Sequence, residues 1–210
     1  MLLNNLLFII TILFSPFQGS SDSSGKGIRE ANNASIRWTI EKSSRLSVKG
    51  QSNVNTFSCD INGYYVPDTI VGSNNGPADK PVKLTGSMTL EIFRFDCHSR
   101  MITNDLRKTL KAEQHPTMTI RFLSLERIPV FLGNTDLLKG WVEIQLAGQC
   151  KRFEILYSFV RAAPDTIILN GAKTFAFSDF KLVPPKKLAG IIQIKDEFNV
   201  NFRLTLNALN

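Results

Sequence analysis

The segment from Phe198 to Leu206 alternates without a break. Phe198, Val200, Phe202, Leu204 and Leu206 fall on one phase, Asn199, Asn201, Arg203 and Thr205 on the other. Such a segment has one apolar and one polar face only if it is an extended strand. The same period returns along the chain, with turn residues between, at roughly ten-residue spacing. Ile36, Trp38 and Ile40 show it, as do Met88, Leu90 and Ile92, and Met118, Ile120 and Phe122. Val142, Ile144 and Leu146 follow, then Phe153, Ile155, Tyr157 and Phe159. Many strands with one apolar face each are buried together in an antiparallel barrel or sandwich. A barrel also removes strand edges, and at about eight strands its interior is either filled by side chains or holds one ligand.

One stretch breaks the period. Between Phe93 and Phe122, Met101, Ile102, Leu106 and Leu110 recur at helical spacing, with Arg107, Lys108 and Lys111 on the other side. Thr103 or Asn104 is placed to cap the helix, with Asp105 in its first turn. Pro116 is expected to stop it and to push His115 to an extended conformation. One short helix inserted between strands suggests a lid or plug.

Other segments are less regular. Arg45 to Asp60 reads as two extended pieces broken at Gly50, with a bulge between Val54 and Phe57. Residues 61–86, rich in Gly, Pro, Asn and Asp, read as a long loop or irregular hairpin. Phe93 and Phe95 change phase, a further bulge signal. Thr166 to Phe180 reads as one long strand or two short ones with a bend at Gly171, and Gly190 to Lys195 as a short strand.

Residues 1–20 carry an apolar run, Leu6 to Phe14, too short to span a bilayer and followed by small or polar residues. They read as a secretory signal peptide. Residues 21–35 read as a flexible lead-in, containing the sequon Asn33-Ala34-Ser35, and residues 36–210 as one domain. The expected location is exported, periplasmic or secreted. The formal net charge of +7 permits peripheral contact with an anionic membrane without requiring it. In an oxidising compartment two of the three cysteines are expected to pair. Cys59 and Cys97 each end a strand-like segment, and their bridge would tie residues 61–86 to the start of the helix. Cys150 is then a free, buried thiol that behaves as a small hydrophobe.

Catalytic and metal-binding patterns are missing. The sequence has two histidines, His98 and His115, and no GxSxG, HExxH, P-loop or dinucleotide fingerprint. His98 reads as a solvated turn residue, since the side chains of an extended Cys97-His98 pair point apart. Asp179 and Glu126 read as surface or turn groups. Basic residues do not interleave with aromatics as in a nucleic-acid groove. No enzyme, cofactor, metal or nucleic-acid partner is expected.

Four segments, in order, resemble the YceI-like family. The helix, Leu110-Lys111-Ala112, His115-Pro116 and Ile120-Arg121-Phe122 resemble its helix, stop and following strand. Trp38-Thr39-Ile40 is similar to its opening strand, and Leu146-Ala147-Gly148 with Lys151 to its turn. Lys181 to Pro185, Ala189-Gly190 and Phe198 to Leu206 are similar to its closing segment. The family's frequent His-Ser near the first hairpin is replaced by Gly50-Gln51-Ser52. The resemblance implies a mainly β, antiparallel, lipocalin-like β-barrel with one short inserted helix. Its apolar lumen would hold a long-chain amphiphile, a polyisoprenoid or fatty-acid derivative.

Alternation selects Ile120, Phe122, Ile144, Phe153, Ile155, Phe159, Phe177, Val200 and Phe202 as lumen-lining candidates. Phe predominates among the aromatics, 15 against 3 Tyr and 2 Trp, so the interior is expected to be apolar with few polar handles. The expected function is an exported carrier of a lipid-like small molecule. The alternative is a ligand-free structural or interaction protein of the cell envelope, whose same residues only pack. The sequence leaves the oligomeric state open.

Overall fold

The computed structural model describes residues 34–74, 80–187 and 191–209. The expected signal peptide, most of the lead-in and Asn33 of the sequon lie outside them. The first strands are β1 (Ala34–Ile40), β2 (Arg45–Ser52), β3 (Thr56–Asn62), β4 (Thr69–Asn74), β5 (Val82–Thr85) and β6 (Ser87–Glu91). Helix α1 (Arg100–Thr109) comes next. Then come β7 (Thr117–Leu125), β8 (Thr135–Leu146), β9 (Gln149–Ala163), β10 (Thr166–Ala176), β11 (Lys186–Lys187) and β12 (Ile192–Ala208).

The strand order β1-β4-β5-β7-β8-β9-β10-β12 returns to β1 and closes an eight-strand antiparallel barrel. β1 and β2 lie end to end along β12, so they act as one bent strand. β3 pairs β2 as β4 pairs β1. β5 and β6 likewise share β7 as their neighbour. Gly86 makes the corner between them: its φ is +134°, and a Cβ there would lie 2.4 Å from the Thr69 carbonyl oxygen. Only glycine fits that backbone and that approach.

The apolar phases converge as expected. Trp38, Ile40, Ile70, Leu138, Phe159 and Leu206 seal one end, the base. The Trp38 and Phe159 rings sit 5.8 Å apart there. Helix α1 covers the other end, with Leu110 buried and Ile102 and Leu106 packed on the core.

Several local expectations are corrected. Residues 61–86 hold β4 and β5, whose weak periodicity reflects short strands supported by their neighbours' ladders. β2 runs through Gly50, and the break falls at residues 53–55, where the Ser52 hydroxyl accepts the Asn55 N–H at 2.9 Å. The phase change at Phe93 is a 3-10 turn, Ile92–Arg94, not a bulge. α1 starts earlier, after Ser99, and Thr103 lies inside it. The Thr103 hydroxyl instead accepts the Cys97 N–H at 3.0 Å. The helix ends well before Pro116, at a left-handed Lys111. Met101 is 65% exposed rather than on the packed face. The last two expected strands are one, β12, with a register shift between Ile194 and Phe198.

Candidate functional site

Two glycines shape the interior. The Phe202 ring lies across Gly171, where a Cβ would approach it to 2.0 Å, and the Tyr157 ring occupies the space beside Gly140. Bulky rings therefore fold over small neighbours at mid-height. Toward α1 an apolar cavity of about 70 Å3 remains. Ile120, Phe122, Ile144, Ile155, Val200 and Phe202 are among its lining residues. Ile120, Val200 and Phe202 keep part of their surface accessible although they face inward.

A second apolar cavity of about 50 Å3 lies under α1, between Phe95, Leu106, Leu110 and Phe177. It shares Leu46, Met118, Leu146, Phe198 and Val200 with the first. An outer groove of about 400 Å3 runs beside α1 past Phe57, Ile102 and Ile194, and shares Leu106 and Phe177 with the second cavity. Apolar spaces thus run from the surface to mid-barrel, with Leu106 and Phe177 as the partitions. An apolar cavity of about 150 Å3 holds a single benzene. The two inner cavities therefore accept a long chain only if side chains between them turn aside.

The remaining lumen candidates sit elsewhere. Phe177 lines the second cavity and the groove. Phe153 lines none of the three spaces described above; it packs edge-on against Phe175, 4.8 Å between ring centres, with Phe180 beyond. Phe159 belongs to the sealed base, 1% exposed. Alternation gives the inward phase but not the height along the barrel, so it cannot separate lining from base.

Two polar groups in the lumen wall escaped selection. Lys173 shares the inward phase with Phe175 and lines the first cavity. Its ammonium lies 5.9 Å from the Phe153 ring centre. Tyr157 lines the same cavity and is 2% exposed. Burial pushes its hydroxyl above the usual phenol range. Among the described residues that hydroxyl has no hydrogen-bond partner. Beside Lys173, the Lys151 ammonium pairs with Asp179. Burial pulls the Asp179 carboxyl up, but Lys151 and the Ala176 N–H together hold it below the usual range.

Cys59 and Cys97 are joined in a disulfide between β3 and the segment before α1. Paired backbone hydrogen bonds between Asp60 and Asp96, 2.8 and 3.0 Å, run alongside it. His98 follows in a left-handed conformation, its Nε2 2.8 Å from Asp60 Oδ2. With the Cys97 sulfur bonded and the imidazole held by a carboxylate, the two form no nucleophilic dyad. Cys150 is exposed, contrary to the buried thiol expected, because it sits on the outward phase of β9 opposite Gln145. Among the described residues no group of three metal-ligating side chains occurs, and no helix is long and apolar enough to cross a membrane.

A closed eight-strand antiparallel barrel with an apolar interior and one helix over its mouth defines a lipocalin-like class. No protein-family model matches the chain, and no curated protein matches its sequence. Solved structures do match, and they show the fold to be that of the YceI-like proteins. BcnA of Burkholderia cenocepacia aligns with a TM-score of 0.57 at 15% identity, over 77% of this chain and 95% of its own. A polyisoprenoid binding domain from Saccharophagus degradans, implicated in plant cell wall breakdown, aligns with a TM-score of 0.57 at 12% identity, over 82% and 98%. A mutant YceI protein of Campylobacter jejuni aligns with a TM-score of 0.52 at 19% identity, over 71% and 86%.

Proposed function

We propose that this protein is an exported carrier that holds a long-chain amphiphile, a polyisoprenoid or fatty-acid derivative, in its barrel. The observation that carries the reading is the file of apolar spaces from the groove beside α1 to mid-barrel. Its walls offer almost only carbon to whatever enters, which suits an alkyl chain and gives a binding rather than a catalytic role. The polyisoprenoid-binding neighbour supports the ligand class. A chain enters past Leu106 and Phe177, whose rotation joins the spaces into one channel. The disulfide and the leader-like residues 1–20 support an exported location. The basic surface is available for contact with the membrane from which the ligand is taken.

The test is native mass spectrometry of the protein purified from its own source, followed by denaturation and lipid identification. A long-chain species at near-stoichiometric level supports the carrier. A clean protein mass, unchanged after incubation with isoprenoid and fatty-acid mixtures, sinks it. One observation favours a second reading, a ligand-free envelope protein: the first inner cavity is only about 70 Å3. The same unchanged mass is that reading's expectation.

A further inference from the structure

The barrel wall has a seam between β9 and β10. β10 keeps its ladder with β12 from Thr166 to Ala176, and β9 keeps its ladder with β8 down to Gln149. Between β9 and β10, however, pairing stops at Gly171 opposite Tyr157. Residues 151–156 and 172–176 thus face each other without a ladder. A comparable break between β3 and β6 is covered by the Cys59–Cys97 disulfide, the Asp60–Asp96 bonds and the Thr89 N–H on the Tyr64 hydroxyl. The β9–β10 seam is covered without a covalent tie: the Phe153 and Phe175 rings fill it, Phe180 of the 3-10 turn Phe177–Phe180 packs on both, and the Lys151–Asp179 ion pair bridges it.

Lys173 stands in this seam. Its stem lines the lumen, and its ammonium, like that of Lys151, lies within 6 Å of the Phe153 ring centre, at 5.9 and 5.6 Å. The one carboxylate they share is engaged: Asp179 binds Lys151 and the Ala176 N–H, and meets Lys173 only through its field. Two ammonium groups against one carboxylate leave the seam positive. Lys173 is half-buried, so its stem covers apolar wall while its ammonium stays available at the seam for an anion. Where the ladder stops, the Tyr157 hydroxyl, which makes no hydrogen bond among the described residues, is a second polar group on the same cavity.

We propose that the β9–β10 seam is the head-group site for an anionic single-chain amphiphile. Its carboxylate or phosphate pairs with Lys173 and Lys151, and its tail lies in the lumen against Ile155, Val200 and Phe202. The Tyr157 hydroxyl donates one step deeper. This rests on the lumen reading above and adds what that reading lacks, a choice among heads.

The experiment compares farnesyl phosphate with farnesol, identical tails with and without the anion, by calorimetry on the purified protein. Inorganic phosphate alone is the third arm. The expected result is farnesyl phosphate binding at least about ten-fold tighter than farnesol, with no competition from inorganic phosphate. Lys173→Met should remove that preference, so that farnesyl phosphate and farnesol bind the variant equally, and a far-UV circular dichroism spectrum matching the parent shows that the variant is folded. Lys173→Gln, which keeps a polar end, should do the same. Equal binding of the two probes, or a preference that survives both variants, overturns the head-group site and leaves the lumen reading standing. Competition by inorganic phosphate overturns it in favour of a free-anion site. Failure of both probes to bind overturns the lumen reading and this inference with it.

Discussion

At the base of the barrel Trp38, Ile40, Ile70, Leu138, Phe159 and Leu206 are between 0% and 4% exposed. Toward α1, Val200 and Phe202 share the inward phase of β12 with Leu206 and yet stay partly accessible. The alternation is the same; the filling differs. At the base, rings and branched side chains interdigitate, as Trp38 and Phe159 do. Near the helix, unfilled space remains, and a covalent tie adds to packing in holding the elements together. A barrel can keep a vacancy at one end because the other end is dense and because the loose end is cross-linked.

The largest expected effect comes from removing that tie. Cys59→Ser with Cys97→Ser opens a loop of 38 residues, which the chain-entropy description puts at about 4 kcal/mol. Urea unfolding measures the loss. Hydrogen exchange tests where it falls. Amides of β3 and α1 should lose protection well before those of β1 and the base half of β9. Uniform loss of protection would mean that the two ends do not differ in how they are held.

Packing variants reverse the contrast. Phe159→Ala in the sealed base should cost about 3 kcal/mol, since the site has no slack and keeps a cavity. Val200→Ala, which enlarges a space that already exists, should cost at most about 1 kcal/mol. The same urea series reads both. Similar losses at the two positions would erase the distinction between base and lumen.

An antiparallel barrel or sandwich was legible because alternation forces an inward face on every strand, and the disulfide because two cysteines close strand-like segments in a chain expected to be exported. The resemblance in the helix and closing motifs pointed to the correct fold. What was not legible depended on neighbours. β4 and β5 are too short and too rich in Gly and Asn to carry a period, and exist through β1 and β7. The end of α1 followed from a left-handed Lys111, a choice that no residue type in that stretch signals. Which inward residues line space, and which seal the base, depends on height in the barrel. Lys173 shows the same limit. It interrupts an apolar phase two residues before Phe175, a signal present in the sequence but indistinguishable from a bend at Gly171 until the strands were placed.

A smaller effect is expected at mid-barrel, where the two ends meet. Tyr157→Phe removes a hydroxyl that makes no hydrogen bond among the described residues while keeping the ring that fits beside Gly140. Stability should stay within about 1 kcal/mol of the parent, because no protein hydrogen bond is lost. Thermal unfolding of the ligand-free protein checks it. A loss of about 2 kcal/mol or more would reveal a buried water or another partner satisfying the phenol, and mid-barrel would then belong with the dense base.

The smallest effect lies on the surface of the cross-linked end. The hydrogen bond that His98 donates to the Asp60 carboxylate raises the His98 pKa above its ordinary 6.5. Burial pulls the Asp60 carboxyl upward, but hydrogen bonds from Ser47 and His98 hold it below the ordinary 3.8. The signs are opposite and define a window. Stabilisation through His98 is complete below its unfolded pKa and fades as pH rises through the raised folded value. Stabilisation through Asp60 is present above its unfolded pKa and fades as pH falls through the lowered one. His98→Gln should therefore lower Tm slightly near about pH 5–6, with the difference closing as the solution becomes alkaline. An NMR titration should place His98 above 6.5 in the native protein and return it toward 6.5 in Asp60→Asn. An unshifted imidazole in both would leave the disulfide and the Asp60–Asp96 backbone bonds as the fastening of this corner, and the contrast between the two ends would then rest on covalent and packing terms alone.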